Sequence, residues 1–155
     1  MRRKDRELKD REDLTSILKE AHVCRIAISS DTAPYIVPLN YGYIWDDKLE
    51  LYFHSAEEGR KIDLLKANNL VGFEIDTSHE LLKSDKACNW SMKYRSIIGI
   101  GKIVFLTDET EKKQAMTKIM QQHGYADSPS FMNSSLSKIL VYKLLVNELS
   151  GKQSK

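Results

Sequence analysis

The residues best placed to do chemistry lie in one stretch, YFHSAEEGRKIDLLKAN, from Tyr52 to Asn68. Its first part alternates like a strand and its second part has the apolar spacing of a helix. His54, Ser55, Gly59, Arg60 and Lys61 therefore fall where one element passes into the other. Two cations at the start of a helix have the wrong sign for its dipole, at ~0.3–1 kcal/mol each when exposed. A phosphate at that point reverses the sign, because it accepts the free backbone N–H groups and pairs with both side chains. Gly59 would let the backbone come close. The competing reading is plainer. Ser55 and Glu58 match the S-x-x-E capping box, which would leave Arg60 and Lys61 as solvated cations on a capped helix. The P-loop pattern G-x-x-x-x-G-K-[ST] is absent from the sequence, so this is not a P-loop phosphate site. His54 has an ordinary pKa near neutrality, which makes it a candidate proton donor. Its alternative is a strand-end histidine bonded to backbone or ligand.

Two further stretches carry polar groups in strand-like surroundings. VPLNYGY (Val37–Tyr43) could form a backbone wall with Asn40 and Tyr41 facing a flat ligand, or simply an edge strand interrupted by Pro38. In SMKYRSIIGIGK (Ser91–Lys102), alternation puts Met92, Tyr94, Ser96 and Ile98 on one face and Lys93, Arg95, Ile97 and Gly99 on the other. Arg95 or Ser96 could reach a polar ligand, and a half-solvated strand is the competing reading. Other chemistries lack their patterns. His22, His54, His79 and His123 are scattered, and His22 with Cys24 has no second pair at ligand spacing, so no metal site is expected. G-x-S-x-G, H-E-x-x-H, C-x-x-C and G-x-G-x-x-G are all missing. Cys24 reads as core.

The elements that must position these residues follow from periodicity. Leu14, Ile17, Leu18 and Ala21 mark an amphipathic helix over 10–21. Strands are predicted over Val23–Ser29, Pro34–Trp45, Leu49–His54, Leu70–Asp76, Asn89–Leu106 and Lys138–Leu149, with a hairpin turn at Asp46–Lys48. Helices are predicted over 58–67 and 107–124, with Thr107 or Asp108 as cap and Gly124 as stop. Gly99 and Gly101 face one side of their strand and signal a bend or a close neighbour. About six strands with few helices and no sustained βαβ alternation predict a mainly β (α+β) chain, a small antiparallel barrel with peripheral helices. One domain over 1–155 is expected, with 1–9 a solvated leader and 150–155 frayed.

Composition narrows the partners. With 24 basic and 22 acidic residues the net charge is +2, too balanced for a nucleic-acid or anionic-membrane surface. No apolar run approaches a membrane span, and MRRKDRELKDRED has no apolar h-region, so no signal peptide is expected. Cys24 and Cys88 fit free thiols in a reducing cytoplasm.

In this order, VCRIAIS, PYIVPLNYGY, LYFHSAEEGRKIDLLKANNLVGFEID and SMKYRSIIGIGKI resemble the pyridoxamine 5′-phosphate oxidase-like flavin-binding split barrels, and within them the 5-nitroimidazole-resistance (Nim) type. The resemblance spans about Arg3 to Val146. It implies a split β-barrel homodimer with FMN at the subunit interface. It also implies that Arg60 and Lys61 take the FMN phosphate, that His54 and Ser55 lie next to the flavin, and that Val37, Pro38, Leu39, Asn40 and Tyr41 line the isoalloxazine. Ser96 falls where oxidase relatives carry a Gln that touches the cofactor, next to Arg95. The Trp and Arg pattern at the C-terminus of true oxidases is replaced by NELSGKQSK, so pyridoxamine phosphate oxidation is not expected. Three function classes follow. The first is an FMN-dependent reductase passing electrons to a small-molecule acceptor, such as a 5-nitroimidazole reduced to the amine, or a general flavin reductase. The second is a flavin-binding protein without turnover. The third is a haem-binding split barrel with His54 as axial ligand.

Overall fold

A computed structural model describes residues 3–127 and 129–154. The N-terminal leader is more ordered than its charge pattern predicts. Lys4–Arg6 forms a 3₁₀ turn and Glu7–Leu8 a short strand, β1, paired with the C-terminal strand through Glu7↔Lys152 and Leu8↔Gly151. Residues 1–2 and 155, the outer ends of the two segments expected to be flexible, lie outside the described residues.

Helix α1, Arg11–Glu20, buries Leu14, Ile17 and Leu18, the stripe that its spacing predicts. Strand β2 (Val23–Ile28) follows. The stretch Pro34–Trp45, expected as one strand, is divided at Tyr41 into β3 (Tyr35–Asn40) and β4 (Gly42–Trp45). β4 and β5 (Leu49–Ser55) form the predicted hairpin, with Trp45 opposite Leu49. Helix α2 spans Arg60–Ala67. β6 (Leu70–Leu82) absorbs much of the polar stretch expected to be a connection, with an irregularity between Thr77 and Glu80 where Ser78 takes a φ of 59°. β7 (Ser91–Phe105) follows, then α3 (Glu109–Gln122), whose cap Asp108 accepts from the Glu111 N–H at 2.9 Å. A four-residue helix, α4 (Asn133–Leu136), precedes β8. β8 runs from Leu140 to Ser154, so the tail expected to fray is strand as far as Ser154, which is itself buried.

Among the described residues there are eight strands where about six were expected, because one predicted strand divides and β1 is added. All pairings are antiparallel, in the order β3-β2-β6-β7-β8-β5-β4, with β1 beside β8. The two edge strands of this sheet, β3 and β4, are consecutive in the chain and only Tyr41 separates them. The sheet must therefore curl until its edges meet at that residue, which is the geometry of a split barrel. Its core joins Ile26, Ile28, Phe53, Phe73, Ile75, Ile97 and Leu144 from the strands to Leu14, Ile17 and Leu18 of α1 and Ile62 and Leu65 of α2. Pro38 sits on an edge strand, where its missing N–H costs no interior ladder bond.

Gly99 and Gly101 have the close neighbours that their spacing implied. A Cβ on Gly99 would overlap the Phe73 ring, and one on Gly101 would overlap the Leu145 carbonyl, beside the register shift between β7 and β8. Because the Leu145 neighbour is backbone, it cannot rotate away. Gly101→Ala should cost about 1–3 kcal/mol of overpacking in urea unfolding, and an unchanged midpoint would contradict this packing.

Candidate flavin-phosphate site

The end of β5 and the start of α2 build the site. Ser55 pairs with Leu140 and His54 with Val141 on β8. The chain then leaves the sheet and reaches Gly59, which caps α2 with φ 125°. That conformation, rather than a tight neighbour, is what requires glycine: a Cβ there would meet nothing within 4 Å. The capping box is not formed. Ser55 Oγ donates to the Ala56 carbonyl at 2.9 Å, and no side chain caps α2. The first carbonyl of the helix is instead that of Gly59, which accepts from Ile62 at 2.8 Å and Asp63 at 3.2 Å. The N–H groups of Arg60 and Lys61 come too early in the helix to have an intrahelical acceptor.

Each cation is held over an aromatic face. The Arg60 guanidinium lies 4.7 Å from the ring centre of Tyr35, and Lys61 Nζ lies 6.0 Å from that of Tyr142. Lys61 is half-buried, and desolvation lowers its pKa. His54 has an exposed edge, but the protein packed around its ring lowers its pKa, and the charge of Lys61 lowers it further. The imidazole at this site is therefore mainly neutral at pH 7.

Behind them Tyr142 is fully buried, and its hydroxyl has no hydrogen-bond partner among the described residues. Burial pushes its pKa up to about 12. Ser55 is near enough to oppose that shift, although its own proton is donated to the Ala56 carbonyl. Two free backbone donors, two cations and an orphaned buried hydroxyl fit a phosphorylated ligand. No group of three or more His, Cys, Asp or Glu that could hold a metal occurs among the described residues.

The other predicted residues are distributed differently. Val37 and Leu39 turn inward against the core, while Pro38 and Asn40 face out. Asn40 meets His22 and His123 rather than α2. Tyr41, expected to face a flat ligand, is fully buried, and its hydroxyl donates to the Leu18 carbonyl at 2.8 Å. Arg95 donates to the Asp13 carbonyl at 3.1 Å and to Ser16, and lies 3.5 Å from Glu20, so it ties β7 to α1. Ser96 pairs with Asp76 and Lys152, whereas Phe105 of the same strand pairs with Tyr142. Nine residues separate them, up to roughly 30 Å along a strand at about 3.3 Å per residue. One chain thus brings together His54, Ser55, Arg60 and Lys61, and leaves Arg95 and Ser96 at the far end of β7. Sequence reasoning missed Tyr35 and Tyr142. The single aromatic in KILVYKLLV was the available signal, but only the register with β5 places it beside Lys61.

The chain matches the pyridoxamine 5′-phosphate oxidase family over residues 10–153. Among solved structures it is similar to a candidate 5-nitroimidazole antibiotic resistance protein from Bacteroides thetaiotaomicron, with 32% identity over 95% of this chain and 86% of that one, and a TM-score of 0.82. The flavocytochrome Anf3 from Azotobacter vinelandii shares the fold at 16% identity, with 100% and 72% of the two chains covered and a TM-score of 0.81. A FAD and haem binding protein from Mycobacterium smegmatis does so at 18%, with 97% and 74% covered and a TM-score of 0.82. No curated protein matches.

The sign of the His54 shift makes a prediction. A lowered folded pKa means that the contribution of His54 to stability is present above the free-imidazole value of 6.5 and is lost as pH falls through the folded pKa. An anion beside Lys61 should oppose the shift. In an NMR titration the His54 midpoint should lie below the free value, and saturating inorganic phosphate should move it up. A midpoint insensitive to phosphate would contradict an anion site here. With the β5–α2 junction and the family match both in place, the chain belongs to the pyridoxamine 5′-phosphate oxidase family.

Proposed function

We propose that this protein is an FMN-dependent reductase, acting as a homodimer of single-domain chains on a small-molecule electron acceptor. The observation that carries the reading is the start of α2. Arg60 and Lys61 there stand beside unsatisfied backbone N–H groups, next to His54 and an orphaned Tyr142 hydroxyl. Bound FMN would supply the redox chemistry, and the protein binding, orientation and electrostatics. Arg60 and Lys61 would hold the phosphate by charge-assisted hydrogen bonds. A neutral His54 can accept a proton, or deliver one after protonation at lower pH, so a step needing a donor should quicken as pH falls towards its lowered pKa.

The dimer follows from the distribution of residues that the family resemblance assigns to the cofactor. Ser96 pairs with Lys152 and Phe105 with Tyr142, so Arg95 and Ser96 stand towards the other end of β7 from the strand pair beside Lys61, and a contribution from a second copy would reconcile their assignment to one cofactor. The similarity to a candidate 5-nitroimidazole antibiotic resistance protein from Bacteroides thetaiotaomicron supports an acceptor of the nitroimidazole kind, and its reduction to the amine is part of the proposal. The two free thiols, Cys24 buried and Cys88 exposed, suit a reducing cytoplasm. Among the described residues no helix is long and apolar enough to cross a membrane.

A haem-binding reading rests on one observation, a mainly neutral imidazole at an accessible strand end, and on relatives of the same fold that bind haem. The visible spectrum separates the two. Purified protein loaded with FMN should show flavin bands that bleach with NADH or NADPH and recover when a nitroimidazole is added. A Soret band after haem loading, with no uptake of FMN, would overturn the flavin reading. Bleaching without recovery by any acceptor would indicate a carrier. Replacing both Arg60 and Lys61 with Ala removes contacts of about 1.5–3 kcal/mol each. FMN titration should show affinity falling at least about tenfold, and unchanged affinity would refute the phosphate assignment.

A further inference from the structure

His22 and His123 are 101 positions apart in the chain, yet their ring centres lie 5.4 Å apart with planes inclined by 31°. His22 follows the last turn of α1, and His123 is the C-cap residue directly after α3. Both are exposed to solvent. Gln122 fixes the junction: its Nε2 donates to the carbonyls of Leu18 at 2.6 Å and Ala21 at 2.9 Å, so one side chain locks the two helix ends together. Asn40 closes the corner from β3. Its Nδ2 donates to the His22 carbonyl at 3.3 Å and lies 3.4 Å from His123 Nε2.

From this geometry we propose that His22 and His123 form a two-histidine site for a divalent transition-metal ion of the class that imidazole binds, Zn(II), Ni(II) or Cu(II). With metal–nitrogen distances of about 2.0–2.1 Å and tetrahedral angles, the centres of two coordinating imidazoles stand roughly 5 Å apart. The observed pair already has that separation. The nitrogen of His123 turned into the corner is Nε2, the atom facing Asn40. In the tautomer that accepts this contact, Nε2 carries a lone pair and the proton sits on Nδ1. The field is favourable as well. Two helix C-termini converge here, and the negative ends of their dipoles favour a cation. Two protein nitrogens leave the remaining coordination positions for water. Because the ligands come from the ends of different helices, the ion would staple α3 to the β2–β3 edge, and it would stabilise the folded chain by mass action. The site is separate from the start of α2 and does not depend on flavin binding.

The test uses the full chain, stripped with chelator and then titrated with ZnCl2 and CuCl2 at pH 7.5. Calorimetry should give one Zn(II) per chain, and the melting temperature should rise with added metal. His22→Asn or His123→Asn should each weaken binding by at least about tenfold, no less than the loss of an outer partner does at known metal sites, and His79→Asn should not. Substoichiometric Cu(II) should broaden the ring resonances of His22 and His123 first in the unmodified protein, a readout that does not depend on the variants folding. Broadening confined to His54 or His79, or His22→Asn and His123→Asn binding like the unmodified chain, would overturn the assignment.

Discussion

The carbonyl of Leu18 is the point on which the rest of the structure converges. It is one of the last four carbonyls of α1 and so lies beyond the regular intrahelical ladder. Two donors meet it: the Tyr41 hydroxyl at 2.8 Å and Gln122 Nε2 at 2.6 Å. Tyr41 is the single residue between the two edges of the sheet, and Gln122 ends α3. A fully buried hydroxyl without a partner costs about 1–3 kcal/mol, so closure of the seam where α1 presents that carbonyl is favoured by about that amount. The bond fixes where β3 and β4 part, and through β4 and β5 it fixes where the chain leaves the sheet for α2. The position of Arg60 and Lys61 is thus set by a contact made with a different helix.

At the site itself the physical theme is uncompensated positive charge. Lys61 is half-buried, lowers the pKa of His54, and has only an aromatic face beneath it. Arg60 rests on Tyr35 in the same way. Several other cations are ion-paired, Arg25 with Glu74 and Asp76, Lys143 with Glu50 and Arg95 with Glu20, while Arg11 over Trp45 and Lys152 over Tyr94 also rest on aromatic faces. The pair on α2 is set against the helix dipole, with Glu57 and Glu58 outside the helix in solvent. A preorganised, aromatic-backed cation pair of this kind loses little on meeting a phosphate and gains two charge-assisted bonds.

Much of this was legible in the sequence. The helical spacing of Leu14, Ile17 and Leu18, the Asp108 cap, the 46–48 hairpin and the crowded glycines 99 and 101 are local signals, and each is found in the structure. The failures were mostly non-local. Ser55 and Glu58 satisfied the capping pattern, but the positive φ of Gly59 restarts the chain and makes Arg60 the first helical residue. Tyr41 read as a ligand-facing aromatic because its partner, Leu18, lies in another element. The tail at 150–154 was composed like a frayed end, and its order comes from β1 and β7 on either side. His22 and His123 looked scattered because only the tertiary fold brings two helix ends together. Tyr142, the orphaned hydroxyl, could be placed beside Lys61 only through the β5–β8 register.

The central claim is that the start of α2 holds a phosphate monoester and not merely a flat ring. The most direct measurement compares FMN with riboflavin, which has the same ring and side chain without the phosphate, by fluorescence titration of the unmodified protein. FMN should bind at least about tenfold more tightly, as expected for the loss of charge-assisted contacts. Added inorganic phosphate should erode that preference. Equal affinity for the two flavins would contradict the account.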